Sequence, residues 1–174
     1  MNIAEQFVSE CENAVASAEP IRAVEAVMKK AIEDPQPWLR AMEQCDDGVI
    51  SLAMNEKLTV LQVSTEPEVK SPIHNHLTWV VIGMYAGAEH NYFYQRNGDT
   101  IELANEQTLR AGDVYIMQAD AIHAIKNPLS SVNGALHVYG GSLMTRPGRS
   151  YWHPDTNEEL PYDYEKVIAF SRKD

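Results

Sequence analysis

The chain has 174 residues, 44% of them hydrophobic and 22% charged, the balance of an ordinary globular protein with enough apolar mass for a core, and its length predicts one domain. Its 25 acidic side chains outnumber 14 basic ones, a net charge of −11, which argues against nucleic acid and against an anionic membrane surface as partners. No apolar stretch approaches the roughly 18 residues of a membrane span, and the acidic, helical N-terminus predicts no leader, so the expected location is the cytoplasm.

In chain order, helices come first. Ile3, Phe7, Val8, Cys11, Ala14 and Val15 recur at helical spacing until Glu19-Pro20. Ile21, Val24, Val27, Met28, Ala31 and Ile32 form a second stripe, ended by Asp34-Pro35-Gln36-Pro37, and residues 38–42 predict one more short helix. Residues 1–45 therefore read as amphipathic helices packed on a body formed by residues 46–174. Cys11 and Cys45 match no zinc spacing and lie in helical sequence, so both are expected as free thiols.

From Val49 the period changes. Short apolar or alternating runs at residues 50–53, 58–63, 77–84, 89–95, 100–103, 114–117, 121–125 and 135–139 are separated by turn signals such as Asn97-Gly98-Asp99, Gly112-Asp113, Asn127-Pro128 and Asn133-Gly134. Many short strands at regular spacing predict a sandwich or barrel. On the strand at 89–95, one of Glu89 and His90 must face the interior, and the sequence leaves the register open. The tail from Arg146 to Pro154 is rich in cationic and aromatic residues and reads as a lid or an edge strand, with His153 on its surface.

Ser71-Pro72-Ile73-His74-Asn75-His76 precedes the apolar run at 77–84. On one strand, alternate side chains leave from one face, so His74, His76, Thr78, Val80 and Ile82 would point inward together. Leu77, Trp79 and Val81 on the other face would need cover from the helices or a second subunit, which leaves monomer and homodimer open. Two imidazoles on one face are half of a metal site. A third histidine, His123, follows a glycine turn at Gly112 and a short strand.

These residues resemble the two motifs of the cupin superfamily. The second, G-x5-P-x-G-x2-H-x3-N, is met by Gly112, His123 and Asn127, with Gln118 and Asp120 in place of its proline and second glycine. The first, G-x5-H-x-H-x3-E-x6-G, is met by His74, His76 and Gly87, with Glu68 in place of its first glycine and Val80 in place of its glutamate. The resemblance implies a mainly β cupin jelly-roll barrel behind an N-terminal helical segment, with His74, His76 and His123 as metal ligands. Three histidines without the glutamate are similar to the cysteine dioxygenase-like thiol dioxygenases, and closest to the bacterial 3-mercaptopropionate type. Residues 72–76, 79–83, 87–89 and 136–140 follow that branch in order.

What this resemblance implies is an Fe(II) site, with Zn, Ni or Mn as other occupants, oxidising a small thiol acid to its sulfinic acid with O2. In that family a serine, a histidine and a tyrosine on one strand form a relay beside the iron; here Ala135, His137 and Tyr139 stand there, so the serine is missing and His137 loses an anchor. Cysteine-type members hold the substrate carboxylate with an arginine upstream of the first two histidines, and residues 46–74 contain none. The bacterial type uses one downstream of the tyrosine, which makes Arg149 and Arg146 the candidates; Arg96 lies on another strand, and solvated arginines are an equal alternative. A metal-binding cupin of another chemistry, a non-thiol dioxygenase or isomerase, and a non-catalytic small-molecule-binding cupin also stay open.

Overall fold

The computed structural model describes residues 2–43 and 48–173, so Cys45 and the expected 45/46 boundary lie outside the described residues. Helix α1 (Ile3–Val15) starts at Asn2, whose side chain accepts the Glu5 amide while the Glu5 carboxylate accepts the Asn2 amide, a reciprocal cap. Pro20 opens α2 (Pro20–Glu33), because the first helical position has no use for the N–H that proline lacks. Helix α3 (Gln36–Glu43) follows and buries Trp38, whose indole N–H donates to the Ala31 carbonyl at 2.9 Å.

Strands β1 (Val49–Met54), β2 (Leu58–Thr65), β5 (Val80–Ala86), β8 (Val114–Met117) and β10 (Asn133–Gly140) form one antiparallel sheet in the order β1-β2-β10-β5-β8. The second sheet contains β3 (Val69–Lys70), β4 (His74–Asn75), β6 (Ala88–Asn97), β7 (Thr100–Arg110), β9 (Ile122–Lys126), β11 (Ser150–Trp152), β12 (Glu159–Pro161) and β13 (Arg172–Lys173). A last helix, α4 (Tyr164–Phe170), precedes β13. This is the mainly β jelly roll that the cupin resemblance implies, within the sandwich or barrel that strand spacing predicts.

Alternation on β5 and β10 sorts side chains between two apolar clusters. Val81, Tyr85, Leu136 and Val138 face the helices and pack with Phe7, Val24, Met28 and Trp38. Val80, Ile82, Met84, Ala135 and Tyr139 face the barrel interior with Leu109 and Met117. Gly83 lies against Met28 and Ile32, and a Cβ there would come 2.5 Å from Met28 Sδ, so the Met28 side chain would have to shift. The helices thus cover Val81 and much of Trp79, while Leu77 remains 36% exposed.

Three expectations change. Residues 74–84 do not form one strand: β4 belongs to the second sheet and β5 to the first, with the chain turning at Leu77, where φ is +53°. Strand β7 continues to Arg110, well past residue 103, since residues 105–108, Asn105 to Thr108, are polar and interrupt the apolar signal before the buried Leu109, while pairing with β6 carries the strand through them. The tail supplies an interior strand in place of the expected lid or edge strand: β11 pairs with β4, Tyr151 opposite His74, on one side and with β12 on the other, and His153, expected on the surface, follows half-buried against Phe170.

Candidate metal centre

His74 and His123 stand directly opposite each other across β4 and β9, and His76 follows at the corner before Leu77. Their ring centroids lie 4.6 to 5.0 Å apart, and one nitrogen from each falls within 4.8 Å of the others. Hydrogen bonds aim two of the rings. His74 Nδ1 lies 3.0 Å from the Pro72 carbonyl and His123 Nδ1 lies 3.0 Å from Asn91 Oδ1, so each ring donates from Nδ1 and leaves Nε2 for a ligand. His123 Nε2 is buried without a partner, an arrangement that is costly unless something occupies the space before it.

Burial holds the imidazoles neutral. It lowers His74 to about 4, with the Arg149 charge pushing the same way against the Pro72 carbonyl. His76 and His123 are driven well below the usual range, again by burial first and then by neighbouring imidazoles. Neutral imidazole is the form that binds metal, and no carboxylate joins this group among the described residues. Three neutral, convergent, partly unpartnered nitrogens fit a metal ion; imidazole donors alone suit several.

Behind the ligands is a layer the sequence reading did not find. Asn91 donates from Nδ2 to Glu89 Oε1 at 2.9 Å, continuing the chain from His123, and Phe93 stacks on the His123 ring at 6.2 Å. Glu89 is 1% exposed, and burial raises its carboxyl to about 7 against the Asn91 hydrogen bond. The register left open on β6 is therefore the one that turns Glu89, Asn91 and Phe93 inward, and His90 sits outside with Thr108 and Glu106. Knowing that register would have identified all three, since they are two apart on one strand.

The other expected residues divide. His137 and Tyr139 lie on β10 facing the histidines; His137 Nδ1 is 3.0 Å from the Tyr139 hydroxyl, and the Tyr139 ring is 5.0 Å from His76. His137 Nε2 is buried with no partner, and Ala135 on the same face offers none. Burial lowers His137 to about 4 and raises the Tyr139 phenol, which Arg149 partly opposes. Arg149 is 7% exposed, donates to the Asn75 and Leu143 carbonyls at 3.1 and 3.0 Å, and stacks on Tyr162 at 3.6 Å. No carboxylate among the described residues pairs with it. Arg146 donates instead to the Gly140 carbonyl at 2.8 Å and does not border the cavity, and Arg96 is paired with Glu159 on the outside.

His74, His76, His123, His137, Tyr139 and Arg149 all border one cavity of about 570 Å³, open at a mouth flanked by α4. Helix α4 was not anticipated, because its short stripe follows the polar stretch 155–159 and gives little periodic signal.

No protein-family model matches the chain. A protein of solved structure from Bacillus halodurans superposes with a TM-score of 0.52 at 12% identity, over 64% of this chain and 82% of that one. A conserved protein with a double-stranded β-helix domain from Klebsiella pneumoniae gives 0.47 at 16% identity, over 62% and 86%. A DMSP lyase from Ruegeria pomeroyi gives 0.43 at 20% identity, over 53% of this chain and 42% of the lyase. The likeness is one of fold alone.

Proposed function

We propose that the chain is an Fe(II)-dependent thiol dioxygenase acting on a thiol that carries a carboxylate. One arrangement carries this reading: three neutral imidazoles with no acidic ligand converge in a cavity that also holds Tyr139 and a buried guanidinium without an anionic partner. When bound, an Fe(II) ion held by His74, His76 and His123 supplies the redox chemistry that joins dioxygen to sulfur. The balance is RSH + O2 → RSO2H, in which sulfur loses four electrons and dioxygen gains them, so no further reductant enters.

The chain's own residues bind and orient. A buried Arg149 with no acid beside it favours an anion, and a carboxylate meets a guanidinium through parallel charge-assisted hydrogen bonds. Holding that end while the thiol lies among the histidines fixes the substrate at two points, which is where much of the rate advantage of a bound reaction arises. Burial keeps Tyr139 protonated, hence a donor. The unpartnered His137 Nε2 favours the tautomer with the proton on Nδ1, since a buried N–H without an acceptor is the rarer defect. His137 then donates to the Tyr139 oxygen, and the phenol proton is left to point into the cavity toward the reacting sulfur.

The test is oxygen uptake matched to sulfinate formed by Fe(II)-loaded protein offered 3-mercaptopropionate, cysteine, cysteamine and mercaptosuccinate. The acid-bearing thiols should exceed cysteamine, which has no carboxylate for Arg149. No uptake with any thiol at full iron occupancy would turn the assignment to a metallo-cupin of another chemistry.

A further inference from the structure

The cavity is much larger than a small thiol acid needs. A molecule such as 3-mercaptopropionate occupies roughly 150 Å³, about five times the ~30 Å³ share of a water molecule, whereas the cavity measures about 570 Å³. In its lining His76, His123, His137, Tyr139 and Arg149 are buried together, and the carboxylate of Glu66 is exposed. Much of the remaining wall is apolar: beside a few hydroxyls stand Leu61, Val63, Leu143, Met54, Met144 and Ile168. The last three are exposed, by 42, 66 and 48%, although each borders a concave site. Large side chains left wet around a cavity mouth gain stability only when something apolar lies against them.

We infer that the substrate is a thiol carboxylate bearing an apolar chain or ring of several carbons, which runs from the buried histidines and Arg149 along this wall to the mouth between Met144 and Ile168. Its thiol rests on the dioxygenase reading; its carboxylate and apolar body do not. Charge favours the carboxylate, since the buried fixed charge in the lining is Arg149, which no carboxylate among the described residues pairs, while Glu66 borders the cavity at an exposed position and His74 is neutral. The apolar wall favours length: each buried methylene contributes to affinity in proportion to the area removed from water.

Binding of thiol-free acids tests the inference apart from the chemistry. Titration calorimetry of the metal-loaded chain with propionate, hexanoate and octanoate should show affinity rising at least tenfold from first to last, with octylamine far weaker than octanoate. Met144→Glu and Ile168→Glu lie at exposed positions that tolerate charge; each should weaken octanoate at least fivefold and leave propionate and metal content unchanged. In the oxidation assay, 3-mercaptooctanoate should exceed 3-mercaptopropionate in kcat/KM by a similar factor. Equal affinity for propionate and octanoate, or octanoate binding indifferent to both rim charges, overturns the inference. So does a dimer that Met144→Glu dissociates, because a second copy then covers the mouth. Octanoate binding as described, with no thiol oxidised, would remove the dioxygenase reading and leave the ligand class standing.

Discussion

The two sides of the β5–β10 pair are made from alternate residues of the same strands, and they have opposite characters. On the helix side, Val81, Tyr85, Leu136 and Val138 meet Phe7, Met28 and Trp38 in a filled cluster whose polar atoms are answered: Gln62 Nε2 lies within hydrogen-bond distance of the Trp38 carbonyl and the Tyr85 hydroxyl. On the inner side, Val80, Ile82 and Met84 pack with Leu109 and Met117, and beside them His123 and His137 border a cavity with their Nε2 atoms unpartnered. The filled side is closed and packed and the incomplete side leaves open space, and native interiors leave few buried polar atoms unsatisfied except where something binds.

Mutations should separate the two sides. The largest effect is expected from His123→Ala: metal content and thiol oxidation should fall to background while circular dichroism still reports a folded β-protein, because neither apolar cluster includes that ring. Retention of a full metal equivalent would remove His123 from the ligand set. Trp38→Ala attacks the other side and should cost about 3–5 kcal/mol in denaturant unfolding, with metal bound per folded molecule unchanged. Loss of metal at unchanged stability would show that the two sides are not independent.

Tyr139→Phe should keep metal and fold and slow oxidation about 10²-fold, the usual loss for one donor aimed at a reacting atom. An unaltered rate would make Tyr139 part of the packing alone.

The smallest effect lies in pH dependence. His74 and His137, near 4 when folded against an ordinary 6.5, stabilise the metal-free chain above pH 6.5, and that contribution is lost as pH falls toward 4. Glu89 acts oppositely: raised from 4.5 to about 7, it stabilises at low pH and loses that contribution as pH rises through 7. Glu89→Gln keeps an acceptor for Asn91 without the charge, so its melting temperature relative to the parent should rise by a few degrees between pH 5 and 8. A difference that does not change over that interval would mean that Glu89 ionises normally.

Much of this was legible from local pattern. Helical stripes, strand alternation, the His74–His76 pair, His123 after its glycine turn and the His137–Tyr139 pair all depend on spacings of a few residues, and spacing is a local property. The turn at Leu77 was hidden because the change of sheet still leaves both His76 and Val80 facing the interior. Which of Glu89 and His90 faces inward, which arginine borders the cavity, and that α4 flanks the mouth were decided only by tertiary structure. Register on β6 depends on its pairing with β9, distant in sequence, and Arg149 is held by carbonyls of Asn75 and Leu143 on separate segments. The metal-ligand pattern was written in short spacings; the size and apolar wall of the cavity exist only once β1, β2, the 143–144 loop and α4 converge, because volume is a relation among segments.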